Sequence, residues 1–213
     1  MSFIKLAIIT VIGILLFNYF NVDDKNDYDG TLVLPLNTKI LAFGDSITYG
    51  YNVNSDKNYP SVLSNLLQSE VINAGVNGEL TKDGLERLPK LLKKYKPQIL
   101  ILCEGGNDLI RSKKMSDIKE NLSKMIELAQ KQKIFVVLIG VPYLEYLTYQ
   151  TADIYNELAA QYNIPIENKA LEQILNDKSL KVDEVHPNAK GYEILSNALA
   201  NLITENYVPS FSY

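Results

Sequence analysis

Ser46 lies three residues beyond a short apolar segment, residues 39–43 (KILAF), which has the composition of a buried β-strand. A serine hydroxyl is a poor nucleophile at neutral pH and needs an adjacent general base. The chain contains a single histidine, His186, so the search for that base is short. Asp183 precedes it by three residues, a spacing at which a carboxylate in a turn can accept the imidazole Nδ1–H. These residue types together are those of nucleophilic acyl transfer.

Each of these residues also has an ordinary structural explanation, because serine is a common turn residue and a lone histidine is more often structural than catalytic. Glu184 is a competing carboxylate, although neighbouring side chains tend to point apart. Cys103 could use the same histidine as its base, but it lies inside the apolar run ILILC and we interpret it as a small core residue. The D-x-x-H-P context before a predicted helix, with Pro187 suited to the first helical position, favours a catalytic His186.

Acyl transfer also requires hydrogen-bond donors for the tetrahedral oxyanion. Gly75, in AGVNG, follows one strand candidate, and a glycine allows a backbone N–H to approach the substrate closely. Asn107, in EGGND, follows another strand candidate and offers a side-chain amide. Turn formation would explain either residue by itself, so their position relative to the strands matters most.

The chain from Thr38 onward alternates short apolar segments with longer amphipathic ones, which predicts an α/β fold with a parallel sheet between two helical layers. The strand candidates are 39–43, 71–74, 98–103, 134–140 and the weaker 163–166. The helix candidates lie near 59–69, 81–95, 116–131, 148–162 and 188–205. Ligands of such folds bind beyond the carboxyl ends of the strands, where each candidate for the chemistry is found.

The N-terminal segment differs from everything after it, because Lys5 precedes an apolar run from Leu6 to Phe17. A helix over residues 3–20 would be about 27 Å long, marginal for a bilayer core of about 30 Å. A secretory signal has the same order of charge and apolar run, but bulky residues stand here where a cleavage site normally has small ones. We therefore favour an uncleaved signal anchor over a cleaved signal peptide. Either interpretation places the domain on the exported side, in the periplasm or at the cell surface.

The domain boundaries follow from these segments. Residues 1–20 are the anchor or signal peptide, 21–37 a linker, 38–207 one folded domain and 208–213 a tail. The 213 residues suit one domain of ordinary size.

Composition excludes several classes of partner. The net charge of −4 without a long basic run argues against nucleic acid. A single cysteine excludes a multi-cysteine metal site, and neither phosphate-binding glycine pattern occurs. The linker segment DDKNDYDG fails as a calcium loop, because Lys25 and Leu36 occupy ligand positions. We expect no cofactor and no metal.

The segments FGDSITYG, AGVNG, GGND and DEVHP resemble, in this order, the four blocks of the SGNH/GDSL esterase–lipase family. The similarity covers residues 38–205, and Ile47 stands where leucine is usual in the first block. The resemblance implies a flavodoxin-like, three-layer α/β/α fold with a five-stranded parallel sheet.

The same resemblance implies roles for individual residues. Ser46 would be the nucleophile, His186 the general base and then acid, and Asp183 the residue that orients it. The oxyanion hole would consist of the Ser46 N–H, the Gly75 N–H and the Asn107 amide.

The segments LCEGGNDLIR and VINAGVNGE resemble most the bacterial arylesterases, acyl thioesterases and lysophospholipases, which implies a carboxylic ester hydrolase acting on small-molecule or lipid esters. Deacetylation of a polysaccharide or peptidoglycan is the related alternative, and a non-catalytic surface binding module is the alternative of another class. Tyr143, Leu144, Tyr146 and Leu147 would line a groove for long acyl chains, although ordinary packing is the commoner meaning of such a stripe.

Overall fold

Five short strands form the centre of the molecule, and all of them are parallel. The computed structural model describes residues 34–35 and 37–208. The strands of this sheet are β1 Lys39–Gly44, β2 Glu70–Gly75, β3 Ile99–Cys103, β4 Phe135–Ile139 and β7 Ile166–Glu167. Their order across the sheet is β2–β1–β3–β4–β7. Every residue of β3 is buried, as expected for a central strand covered on both faces. The predicted α/β fold with a five-stranded parallel sheet is confirmed.

The helices form two groups around this sheet. They are α1 Ser46–Tyr49, α2 Tyr59–Leu67, α3 Thr81–Tyr95, α4 Gly106–Ile110, α5 Met115–Gln130, α6 Asp153–Tyr162, α7 Ala170–Asn176 and α8 Ala189–Asn206. α2 packs against α8, whereas α5 packs against both α3 and α6. Four of the five predicted helices agree with the structure to within two residues at each end.

The predicted helix over residues 148–162 is wrong in its first part. An antiparallel hairpin, β5 Pro142–Glu145 and β6 Thr148–Thr151, precedes α6. Exposed and more buried residues alternate along β6, which is the period of a strand and not of a helix. The β-branched Thr148 and Thr151 favour this conformation, and the helix begins only after Ala152, with Asp153 in its first turn.

Two smaller differences concern segment ends. The fifth strand of the sheet is Ile166–Glu167 instead of residues 163–166, because Asn163 adopts a left-handed backbone conformation that ends α6. Pro187 does not begin the last helix. Asn188 caps that helix by accepting the N–H groups of Lys190 and Gly191.

The anchor predicted over residues 1–20 lies outside the described residues, as does most of the linker 21–37. Among residues 34–35 and 37–208, no helix is long and apolar enough to cross a bilayer. The domain boundaries therefore stay predictions.

Candidate active site

Ser46 is the first residue of α1, directly beyond the end of β1. Asp45 caps this short helix, because its Oδ1 accepts the Ile47 N–H at 3.0 Å. The Asp45 N–H donates to the Cys103 carbonyl at 3.3 Å, which ties the turn to the end of β3. Only 9% of Ser46 is exposed. The serine is thus held by backbone contacts on a rigid strand end.

Gly75 holds the same turn from the other side. A Cβ at this position would lie 2.0 Å from the Tyr49 backbone nitrogen, so the end of β2 packs directly against the backbone of α1. Its own N–H donates to Asn73 Oδ1 at 2.9 Å. The predicted oxyanion donor therefore already has an intramolecular acceptor, and its donation to a substrate stays a prediction that requires this N–H to be shared or released.

His186 reaches Ser46 from the loop between α7 and α8. Its Nε2 lies 2.9 Å from Ser46 Oγ, and its Nδ1 lies 2.9 Å and 2.8 Å from the two carboxylate oxygens of Asp183. When Nδ1–H donates to the carboxylate, Nε2 is the lone-pair nitrogen that can accept the serine proton. The structure brings these three predicted residues into one connected array.

The loop of His186 is organised around the Asp183 carboxylate. Its Oδ1 also accepts the N–H groups of Val185 at 2.9 Å and His186 at 3.0 Å. Partial burial opposes ionisation of Asp183, but the hydrogen bonds from Val185 and from the His186 ring and N–H outweigh it and lower its pKa. Glu184 points elsewhere, since its exposed carboxylate lies 3.4 Å from Lys181 Nζ. The structure thus favours Asp183 over Glu184 as the partner of the ring.

Two neighbours of this array were not predicted from the sequence. The Tyr51 ring stacks on the His186 ring with a centroid distance of 4.4 Å. Asp45 Oδ2 lies 3.3 Å from the Asn107 Nδ2 donor, so this carboxyl orients the amide predicted for the oxyanion hole. An aspartate directly before the first residue of a short helix is the signal that could have identified the cap.

A pocket of about 280 Å³ opens beside Ser46 and His186. Its other lining residues are mostly apolar and include Ile47, Leu109, Ile110, Val141, Pro142, Tyr143, Leu144, Tyr149, Leu175 and Val185. Tyr143 and Leu144 thus line the pocket as predicted, whereas Tyr146 and Leu147 do not, and they are 92% and 94% exposed. The Asn107 side chain borders this pocket as well.

Cys103 takes no part in the array. It is fully buried at the end of β3, and burial raises the pKa of its thiol well above the usual value. A buried, protonated thiol is not a nucleophile, which agrees with its interpretation as a core residue.

A group of carboxyl side chains lies beneath the site. Asp108 accepts the N–H and the hydroxyl of Thr81, both at 2.9 Å, and so holds the start of α3. Glu79 makes a two-pronged ion pair with Arg87. Glu104 is fully buried, and neither of its carboxyl oxygens has a hydrogen-bond partner among the described residues. Burial, and then the charges of Asp45 and Glu79, raise the pKa of Glu104 well above its usual value.

Asp45 is the member of this group that touches the site. Burial raises its pKa from 3.8 to about 7, against the hydrogen bond from Ile47 and with further help from the charges of Glu79 and Asp108. The folded protein therefore retains a proton on Asp45 at pH values where the unfolded chain has lost it.

This retained proton predicts a pH dependence of stability. The unfolded chain ionises Asp45 first, so the contribution of Asp45 to the free energy of unfolding should fall as pH rises from about 4 to about 7, by up to about 4 kcal/mol, while Glu104, whose pKa is also raised, adds a fall of its own. Asp45→Asn should make this part of the profile less steep without removing the Glu104 contribution, whereas Asp56→Asn, a change at an exposed carboxylate, should leave the slope unchanged. Denaturant unfolding at a series of pH values measures it, and parallel profiles for wild type and Asp45→Asn would contradict the assignment.

Comparison with known proteins places this chain in a family. The profile described as GDSL-like Lipase/Acylhydrolase family matches residues 42–194. An arylesterase of Vibrio mimicus is 30% identical over 178 residues, which are 79% of this chain and 89% of the relative. The thioesterase 1/protease 1/lysophospholipase L1 of Escherichia coli strain K12 is 27% identical over 168 residues, 76% of this chain and 81% of the relative.

Solved structures agree. AlinE4, whose crystal structure is described as that of a SGNH-hydrolase family esterase, is 32% identical with a TM-score of 0.63 over 83% of this chain and 100% of the other. Since the family profile spans well over half of the sequence, the chain belongs to the GDSL-like lipase/acylhydrolase family.

Proposed function

We propose that this carboxylic ester hydrolase works through an acyl-enzyme formed on Ser46. The observation that carries the proposal is the unbroken hydrogen-bonded series from Ser46 through His186 to Asp183, with contacts of 2.9 Å and 2.8 Å. Such a series makes a weakly acidic hydroxyl nucleophilic, because a base at hydrogen-bond distance can take the hydroxyl proton as the oxygen attacks.

The acylation step follows from this series. Ser46 Oγ attacks the ester carbonyl while its proton passes to His186 Nε2, and Asp183 stabilises the imidazolium that results. The imidazolium then protonates the departing alkoxide as the carbon–oxygen bond breaks. In the second half, water attacks the acyl group while its proton passes to Nε2. The bond between the acyl carbon and Ser46 Oγ then breaks as the imidazolium returns the proton to Oγ, which releases the acid and restores the serine.

Donors for the oxyanion come from two neighbouring elements. The Ser46 N–H is at the first position of α1, and the first N–H groups of a helix have no partner within that helix. One of the two Asn107 Nδ2 hydrogens points to Asp45, which leaves the other for the substrate. The Gly75 N–H is the third proposed donor, and its bond to Asn73 must be shared or released for it to reach the oxyanion.

The pocket bears on the substrate class. Its volume of about 280 Å³ and its mostly apolar lining suit an ester with an apolar acyl or alcohol group. A bare acetyl group would leave most of this surface unfilled, so the observation favours apolar esters over the alternative of an acetylated polysaccharide or peptidoglycan. The complete series of serine, histidine and aspartate likewise favours an enzyme over a non-catalytic binding module.

The catalytic unit generates a direct prediction. Ser46→Ala and His186→Ala should each lower kcat for an activated ester by about three orders of magnitude or more, and the double variant should cost little extra, because the two residues act in one step. Asp183→Asn should have a milder or comparable effect. Hydrolysis of p-nitrophenyl butyrate measures kcat for each variant.

Glu184→Gln is the matched control, since Glu184 adjoins Asp183 in sequence but pairs with Lys181. It should leave kcat nearly unchanged. Activity near the wild-type level in His186→Ala would overturn the proposal, because the chain has no other histidine.

Asn107 gives a second prediction, which separates an oxyanion donor from a turn former. Asn107→Ala should lower kcat by about 10²- to 10³-fold with little change in KM, because the donor acts mainly in the transition state. Asn107→Asp should be at least as damaging, since a carboxylate would repel the oxyanion. Melting temperatures of both variants, measured alongside kcat, separate catalysis from folding. If either variant keeps wild-type turnover, Asn107 is a turn residue only.

We also propose that residues 1–20 remain attached as a membrane anchor, which the charge-then-apolar order and the bulky residues after Phe17 support. Protein expressed with its N-terminus intact should fractionate with membranes and keep the mass of the full chain. Intact-mass spectrometry of the membrane fraction measures this. A mature N-terminus at about residue 20 to 30 would instead identify a cleaved signal peptide.

A further inference from the structure

Large apolar side chains are exposed around the mouth of the pocket, and we call them the rim patch: Ile110, Leu144, Tyr146 and Leu147. Their exposed fractions are 63%, 57%, 92% and 94%. Ile110 and Leu144 also line the pocket, and α4 packs against β5, so the patch is continuous with the entrance to the site. Single exposed apolar residues are ordinary, but a cluster at the entrance to a binding site indicates an interaction surface.

The hairpin presents the outermost part of this patch. Tyr146 and Leu147 form the turn between β5 and β6, and the left-handed backbone of Tyr146 (φ 55°) makes the reversal. Residues 142–151 contain one charged side chain, Glu145. The two large side chains at this tip expose apolar surface to water, so their transfer into an apolar phase is favourable.

The base of the hairpin is fixed to the domain. The Tyr149 N–H donates to Asn176 Oδ1 at 2.9 Å, and Asn176 Nδ2 returns a bond to the Tyr149 carbonyl at 2.8 Å. The Thr151 N–H donates to Glu172 at 2.8 Å. These bonds hold the two strands while the tip stays exposed, so docking at the tip would not require the hairpin to rearrange.

Basic residues follow one member of the rim patch, Ile110, in the sequence. Arg111, Lys113 and Lys114 follow Ile110 on the surface, and none of the three pairs with a carboxylate within the described part of the chain. The whole chain carries a net charge of −4, so this segment is a local exception. Each basic side chain near an anionic bilayer raises partitioning about fivefold.

We propose that the rim patch, together with Arg111, Lys113 and Lys114, docks on an anionic lipid surface, so that an ester enters the pocket directly from the lipid. Apolar side chains flanked by cations match the boundary between acyl chains and anionic headgroups. The cations beside the patch favour an anionic lipid surface over a protein partner, and a tip indole that does not respond to vesicles would favour the protein. The inference extends the proposed function and rests on it for the substrate's route, while docking itself does not require activity.

The absence of tryptophan from the chain permits a site-specific test. Tyr146→Trp places a single fluorescent indole at the hairpin tip, and Val208→Trp places one at another largely exposed position beyond α8. Val208 is 84% exposed and follows Tyr207, which packs on Phe135 at the start of β4, the opposite edge of the sheet from the site. Both full-length variants contain residues 1–20, so any contribution of that segment to binding is shared.

Vesicles of phosphatidylglycerol containing brominated phosphatidylcholine are the probe. The tip indole should shift its emission to shorter wavelength and be quenched by about twofold or more, whereas the control indole should respond little. Combining the tip reporter with Lys113→Gln and Lys114→Gln should weaken partitioning about 25-fold, and replacing phosphatidylglycerol by phosphatidylcholine should weaken it at least as much. A tip indole that keeps its aqueous emission, unquenched, overturns the proposal. A tip indole that responds no more than the control indole also overturns the proposal.

An activity measurement separates this proposal from the proposed function. Tyr146→Ser combined with Leu147→Ser should lower turnover of a vesicle-borne ester about tenfold and leave soluble p-nitrophenyl butyrate within about twofold, because neither residue lines the pocket. Equal losses on both substrates would contradict docking as the cause. If the wild type hydrolyses neither ester, the proposed function fails, and the fluorescence response still decides whether the tip enters lipid.

Discussion

Gly44 is paired with Gly75 on one side and with Cys103 on the other, so three adjacent parallel strands end at the same level of the sheet. Ser46 lies two residues beyond β1, Gly75 ends β2, and Asn107 lies four residues beyond β3. A Cβ at Gly44 would lie 2.2 Å from the Cys103 carbonyl oxygen, and one at Gly75 would meet the backbone of α1. Small residues at the strand ends therefore allow the backbones to close on one another, and the site depends on this closeness.

The fourth part of the site arrives from a distant part of the chain. His186 is 140 residues from Ser46, yet its ring is held on both sides, by Asp183 at Nδ1 and by Tyr51 across its face. A single antiparallel backbone pairing between Lys181 and Pro187 closes the loop that carries His186. In its proposed role as the base, a ring held this firmly would lose little conformational entropy in the reaction, which is what positioning contributes to catalysis.

Burial of acidic side chains beneath the site lowers the free energy of unfolding, and other parts of the fold offset this loss. Arg87, the cation in the region of Asp45 and Glu104, is already paired with Glu79. The pKa values of Asp45 and Glu104 are raised, and the protons that these two carboxyl groups retain limit the negative charge in this region. Titratable groups with displaced pKa values are concentrated at functional sites more than elsewhere. The large apolar core of the parallel sheet offsets this cost, since its three central strands, β1, β3 and β4, are buried on both faces.

The sequence allowed the sheet to be predicted, because strands buried on both faces of a parallel sheet are short apolar runs. It also allowed the segments of the site to be predicted, because ligands of such folds bind beyond the carboxyl ends of the strands. It could not distinguish a helix from a hairpin over residues 148–151, since four residues fit either period. The helices α1 and α4 are too short to show periodicity. The bond from the Gly75 N–H to Asn73 and the contact between Asn107 and Asp45 are side-chain geometries of the folded state, which spacing does not determine.

The central claim is that Ser46 forms a covalent acyl-enzyme, and active-site labelling tests it most directly. Protein treated with a fluorophosphonate should gain one phosphonyl group, and peptide mapping should place it on Ser46, because among the serines that the structure describes only this one has His186 at 2.9 Å to activate it. Ser46→Ala should gain no mass under the same conditions. An adduct on another residue, or an unmodified wild-type protein that still hydrolyses esters, would contradict the account.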